Sequence, residues 1–404
     1  MLKILAKSTV ILGVTTVINY TLFVLFARVA GAEAFSRYLY DITVSGVLAV
    51  VIGYASQRVY TRDVLETGSE QDSFNTIVTL RFILGGIACI ALFIWGIYSN
   101  AGSPLAVVFL AFYIFQLNFL FEYFGTNVHL AWITGIEKIS FAIVAGAWAI
   151  LVGFTWHIYL FFLMGSCLAL FLQIRMYRSF VTLYHLPPAA DLWRYLKRYF
   201  NLFLIDLGQL AYGNFSRLII QQKNGLLEFG ATSIGFQIIK VASIFQTQVE
   251  YIFRPNIIRL AQAREIRRLL HQSWTYLWMT TFPTIAGSVI LIIFAKPIIL
   301  HGFGADYALA IPALQVIAVL PVTVNLMRFT EMVLIGLKRD GATLTINIIT
   351  NLGLLVALIA VPAGSALTLY LWIVVLWQGV YVLALSGLSL WALNQPQSRK
   401  TEIL

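Results

Sequence analysis

Arg217, Lys240 and Arg328 stand inside stretches of sequence that are otherwise fit for lipid. An ionisable residue at the centre of a bilayer costs roughly 2.5–3.5 kcal/mol on insertion scales, so three together cost roughly 8–10 kcal/mol unless they face a cavity or are paired. A cavity with surplus positive charge selects an anion. At about 100° per residue, Asp206, Gln209, Gly213 and Arg217 fall on one helical face, and Gln237 and Lys240 fall on one face of the next helix. A polar face on an apolar helix lines water or a substrate path. The candidate substrate-binding residues are therefore Lys240, Arg328, Arg217, Arg28, Asn19 and Gln237. Asp206, Glu331 and Asp41 are the candidates for a coupling proton or cation. A structural alternative stands beside each. Arg328 could pair with Glu331 at i+3, and Arg217 could snorkel to headgroups. Arg28 could anchor at a headgroup, Asn19 could bond a neighbouring helix, and each acid could pair with a nearby Arg or Lys.

No catalytic constellation accompanies these groups. The five histidines lie at or near helix ends, without an HExxH or Cys/His ligand spacing, so no metal site is expected. There is no GxxxxGK[ST] loop to hold a nucleotide, and no long extramembrane loop to house an active site. An enzyme is not expected, nor a cofactor. The two cysteines, Cys89 and Cys167, lie within apolar segments and indicate no disulfide framework.

The elements that must position these residues are membrane helices. Of the 404 residues, 60% are hydrophobic and 11% charged, whereas about 25% charge is usual in a soluble fold. The net charge of +10 does not point to nucleic acid, because the basic residues sit in short loops between apolar runs. With about 20 apolar residues per span, the sequence predicts twelve spans, at 8–27, 39–57, 77–98, 104–124, 131–153, 156–176, 199–220, 232–253, 274–295, 309–335, 342–361 and 367–391. The longest connection holds Pro187-Pro188 and divides the chain into two six-helix halves, 1–190 and 191–404. Lys and Arg concentrate on one side: Lys3, Lys7, Arg58, Arg62, Lys138, the cluster from Arg175 to Arg198, the cluster from Arg254 to Arg268, Lys338, Arg339, Arg399 and Lys400. The other side holds Arg28, Arg37, Lys223 and Lys296. A multi-pass protein with both termini cytoplasmic follows. The stretches after the first and seventh spans share a short outer loop with Glu and with Phe35-Ser36 or Phe229-Gly230, then a helix ending on Arg. Such repetition suits a transporter built from two related halves that face each other across a polar cavity.

Ala27-Arg28 followed by Gly31, Phe35 and Tyr38 resembles the AR-x-x-G-x-x-x-FG-x-Y turn of the polysaccharide transporter branch of the MOP exporter superfamily, which includes Wzx-type flippases. Arg217-Leu218 through Phe229-Gly230 to Ile239-Lys240 is similar to the family's start of helix eight. Phe253-Arg254-Pro255 looks like its proline-marked exit, and Phe303 to Ala308 resembles its FG-x-x-Y-x-x-A turn before helix ten. Ser36 stands where the family usually has Gly, and Ser216 where an Asp often precedes the basic residue. The resemblance implies an all-α integral membrane fold of two six-helix bundles, MOP/MATE-like, working by alternating access in the inner membrane. It implies a flippase for an undecaprenyl pyrophosphate-linked oligosaccharide, a precursor of O-antigen lipopolysaccharide, capsule or exopolysaccharide. The pyrophosphate would meet cations such as Lys240 and Arg328. The alternative is an ion-coupled drug or small-molecule exporter of the same superfamily, which would want an acidic cavity. The expected partners are the lipid-linked oligosaccharide and membrane lipids, with a monomeric chain and no nucleic acid. Action beside a polysaccharide polymerase and a chain-length regulator is left open, as are the sugars and the coupling ion.

Overall fold

The structure is a computed structural model that describes residues 2–99, 102–337 and 339–395. The side chains of Lys3, Lys7, Arg58, Lys338, Arg399 and Lys400, assigned above to the basic side, lie outside the described residues, as does that of Pro255. Among the described residues the apolar runs become helices, and several breaks fall on glycine or on a capping serine. α1 (Leu2–Gly53) consists of two helical limbs that meet at Gly31. Gly31 takes φ 75° and ψ 167°, a conformation closed to residues with a side chain, and so joins the first two predicted spans without a loop. α2 (Ser56–Thr67) and α3 (Glu70–Tyr98) follow. The Ser69 hydroxyl accepts the Asp72 amide at 3.2 Å and starts α3, and Glu70 and Asp72 complement its dipole. The fourth span divides into α4 (Val107–Phe115) and α5 (Asn118–Tyr123), with Gln116 extended between them. α6 (Asn127–Leu151) and α7 (His157–Met176) complete the first half, and α8 (Arg178–Thr182) leads into the linker.

α9 (Ala189–Leu210) passes through a π turn at Ala211–Phe215 into α10 (Ser216–Asn224). Gly225, at φ 108°, separates α10 from α11 (Leu226–Gln262). Then come α12 (Ile266–Gly302), α13 (Ala310–Ile317), α14 (Leu320–Gly336), α15 (Asp340–Ala360) and α16 (Leu367–Asn394). Among the described residues, nine helical stretches are long and apolar enough to cross a membrane, and one of them contains both limbs of α1. The predicted spans missing from these nine are α9–α10 and α11, the pair that carries the polar faces. The architecture therefore accommodates the twelve predicted spans. One expectation is corrected. Lys138, assigned above to a loop, lies in the middle of α6, because that helix begins at Asn127.

The halves share one core at the end that holds the predicted outer loops. Phe26, Phe35 and Tyr38 of the first half pack with Phe229, Phe303, Tyr307 and Leu314 of the second. Lipid tails are as apolar as leucine, so close approach and ring packing hold these helices together more than exclusion from water does. A Cβ on Gly230 would stand 1.9 Å from the Ser36 hydroxyl, which shows how tightly α11 and α1 meet. At the predicted cytoplasmic end the cores are separate. One gathers Tyr60, Phe74, Phe119 and Phe121. The other gathers Ile257, Leu269, Tyr276 and Met332. Tyr195 and Tyr199 of α9 insert into the first of these. Tyr195 lies ahead of the predicted span, and burial, with the nearby Asp63 charge second, raises its phenol well above its ordinary range, so it stays neutral.

Candidate functional site

Among the described residues, two cavities between the halves are lined by sequence-predicted polar residues. The outer one, about 260 Å³, is bounded by both limbs of α1, by α6 and α7, and by α11. Its polar lining is Asn19, Glu137, Lys138, Gln237 and Lys240, set among Phe23, Phe26, Tyr38 and Phe141. Three sequence-predicted residues, Asn19, Gln237 and Lys240, are thus brought together from helices more than two hundred residues apart in sequence. Among the described residues neither Lys240 nor Lys138 forms a salt bridge. Glu137 accepts the Ser166 hydroxyl at 3.1 Å. The chamber therefore holds two ammonium groups against one carboxylate, inside the membrane-spanning part of the protein. Away from bulk water, where the effective dielectric is lower, that excess favours an anion.

The inner cavity, about 500 Å³, lies towards the predicted cytoplasmic end. One wall is the second limb of α1 with α2, α3 and α4, and the other is α9 with its π turn. Asp206 and Gln209 line it, as the shared face predicted, together with Arg81, Tyr113, Gln116 and Tyr212. The turn between α1 and α2 puts Tyr54 at φ 40° and Ala55 at φ 57°. A left-handed non-glycine costs about 1–3 kcal/mol and persists only where the surroundings fix it. Here the Tyr54 ring stacks on Phe203 with centroids 4.5 Å apart, and its hydroxyl donates to the Leu196 carbonyl at 2.8 Å.

The remaining predicted residues lie away from the cavities. Arg217 is 3% exposed. It donates to the Gly213 carbonyl at 2.8 Å, to Asn214 Oδ1 at 2.7 Å and to the Ser233 hydroxyl at 3.3 Å, and lies over the Phe236 ring. The π turn explains why it leaves the face of Asp206 and Gln209. One extra residue in a turn rotates all that follows by about 100°. Arg28 donates to the Gly302 carbonyl at 2.6 Å and to the His301 carbonyl, at the C-terminal end of α12. Arg328 meets Glu250 at 3.3 Å, a carboxylate that also holds Arg254 at 3.3 Å. Glu331 accepts from Gln209 Nε2 at 3.3 Å and from the Tyr381 hydroxyl at 3.4 Å. Asp41 is fully buried and accepts the Tyr159 hydroxyl at 2.6 Å and the Ser103 amide at 2.9 Å.

Sequence reasoning missed Glu137 and Lys138 of the outer chamber and Arg81 of the inner one. Arg81 is 6% exposed, donates to the Gln116 carbonyl and the Ser56 hydroxyl, and packs over Phe119. All three stand near the start of a predicted span. For Glu137 and Lys138 the available signal was the short apolar run at 128–136 just ahead of them.

No family model matches this chain, and no curated protein matches its sequence. Solved structures do match. The lipid II flippase MurJ, in an inward closed conformation, is 15% identical, with 94% of this chain and 86% of that chain covered and a TM-score of 0.72. An inward-facing multidrug resistance MATE family transporter is 12% identical, covering 94% and 93%, with a TM-score of 0.67. A MOP superfamily transporter from Pyrococcus furiosus, noted for the reverse polarity of its binding pocket, is 14% identical, covering 96% and 94%, with a TM-score of 0.65. At such identities the likeness is one of fold, which this chain shares with these transporters over nearly its whole length.

Proposed function

We propose that this chain is a flippase that moves a pyrophosphate-linked oligosaccharide on an isoprenoid lipid from the cytoplasmic to the outer leaflet. The substrate is of the kind that builds O-antigen, capsule or exopolysaccharide. The observation that carries this reading is the outer chamber, where Lys240 and Lys138 face Gln237 and Asn19 with a single carboxylate nearby. A pyrophosphate needs several donors and a positive field, and ammonium and amide groups supply both. The shared core at the predicted outer end and the separate cores at the other suit a state that collects substrate from the cytoplasmic side. Outward movement of an anion is favoured by a potential negative inside, by about 2.3 kcal/mol per charge per 100 mV. The other reading, export of organic cations, is disfavoured by the same two ammonium groups. Coupling to a proton or cation is assigned to Asp206, which lines the inner chamber beside Gln209, and to Glu331, which lies behind that wall and accepts from Gln209 Nε2.

The test is translocation in proteoliposomes. A labelled undecaprenyl pyrophosphate oligosaccharide is reconstituted with the protein, and a membrane-impermeant reagent reports its leaflet over time. Lys240→Gln and Lys138→Gln are each expected to slow movement by about tenfold or more, the scale of one lost charge-assisted hydrogen bond. Movement at the wild-type rate in both variants would remove the pyrophosphate from this chamber.

A further inference from the structure

The inner chamber has a chemistry of its own. Its two walls carry opposite charges, Arg81 on the first half and Asp206 on the second, so no net charge dominates. Around them stand two amides, Gln116 and Gln209, and two phenols, Tyr113 and Tyr212. Donors, acceptors and aromatic rings all line it, and a volume of about 500 Å³ is of ligand size. This mixture matches a neutral polyhydroxyl ring, whose hydroxyls both donate and accept and whose C–H faces pack on aromatic rings. A second phosphate would find Asp206 opposed to it. Arg81 lines the chamber although it is more than nine-tenths buried, and its terminal nitrogens are held in place by the Gln116 carbonyl and the Ser56 hydroxyl.

The two chambers follow one another along a single helix face. Tyr38 and Ile42 line the outer chamber, and Gly46, Ala49 and Gly53 line the inner one, all on the second limb of α1. Ile42 and Gly46 are one turn apart, about 6 Å along the axis. That separation is within reach of the bond between a pyrophosphate and the first sugar attached to it. At the junction Asn214 Nδ2 stands 3.4 Å from where a Cβ on Gly46 would be, and Arg217 holds Asn214 from behind.

We infer that the inner chamber is a glycan subsite, which binds the first sugar ring of the substrate while its pyrophosphate lies against Lys240. The ring bridges the two halves, so its hydroxyls are held by the first half through Arg81 and Gln116 and by the second through Asp206. This rests on the reading of the outer chamber as the pyrophosphate site.

The experiment is a native mass spectrometry titration of the full chain in nanodiscs. The probes are undecaprenyl pyrophosphate, bare or carrying one hexose or one N-acetylhexosamine. Two variants alter the chamber differently. Gln116→Ala removes an amide. Gly53→Leu adds bulk at a lining position where the first added carbon meets nothing within 4 Å. At least one glycan-bearing lipid is expected to bind about tenfold tighter than the bare lipid, and both variants to erase that margin while bare-lipid affinity holds. The absence of any margin in the wild type, a margin that survives both variants, or an equal loss for bare lipid would each overturn the subsite. Lys240→Gln separates the two readings. If bare-lipid binding is unchanged by Lys240→Gln but the glycan margin persists, the pyrophosphate site fails and the glycan subsite stands.

Discussion

Asp41 illustrates how much a residue's neighbours decide. Its two acceptor bonds, from the Tyr159 hydroxyl and the Ser103 amide, tie the second limb of α1 to α7 and to the turn before α4. Asp41→Ala leaves two buried donors without a partner, at about 1–3 kcal/mol each. The expected outcome is a marked fall in thermal stability of the purified protein, read by intrinsic fluorescence, with a smaller fall for Tyr159→Phe. A variant of wild-type stability that has lost ion dependence of transport would instead make Asp41 a coupling residue. Lys240 and Gln237 were legible in the sequence because each interrupts a long apolar run. Lys138 was not, since the apolar window starts only a few residues before it and a lysine there reads as a loop end. The partner of Arg328 was also hidden. Spacing offered Glu331, three residues on, but the bond is to Glu250 on another helix, and such pairs are set by packing that no local pattern encodes.

Among the elements, α9 with its π turn governs the interface. It faces the inner chamber through Asp206 and Gln209, then turns Arg217 inward to hold Asn214. The long apolar helices were legible because lipid demands continuous apolar length, but a π turn has no hydropathy signature. The shared face predicted for Asp206 and Arg217 therefore broke at Ala211–Phe215. Close helix contacts were likewise invisible as such. A Cβ on Gly208 would stand 2.1 Å from Asn347 Oδ1. Gly208→Ala must displace the buried Asn347 side chain, and overpacking of this kind costs about 1–3 kcal/mol. The expected result is a lower unfolding temperature, with a partial return in the Gly208→Ala, Asn347→Ala pair.

The whole molecule is closed at one end by few, specific contacts. Arg28 reaches across to the carbonyls that end α12, Tyr307 donates to the Ala27 carbonyl at 2.7 Å, and Gly230 meets Ser36. Arg28→Ala removes charged donors from carbonyls of the opposite half. It is expected to shift the population towards an open outer end, seen as a longer distance between spin labels at Ala34 and Ala305 with Cys89 and Cys167 replaced by serine. Gly230→Ala should act in the same direction through volume alone. Ser36→Gly beside it should restore the short distance, and a long distance in the double variant would mean that the Gly230–Ser36 contact is not what closes this end. Switching a population from mostly closed to mostly open takes several kcal/mol, so each single change is expected to move it only part of the way.

The insertion of Tyr195 and Tyr199 among Tyr60, Phe74 and Phe119 has a consequence for how the protein is made. The ribosome delivers the first six helices before these two rings exist, so the cytoplasmic core of the first half waits unfinished. Its completion is the first act of the second half, performed by α9 before the helices of its own bundle have emerged. The nascent chain is thus stapled across its midpoint early, and the later helices assemble around a helix whose position is already fixed.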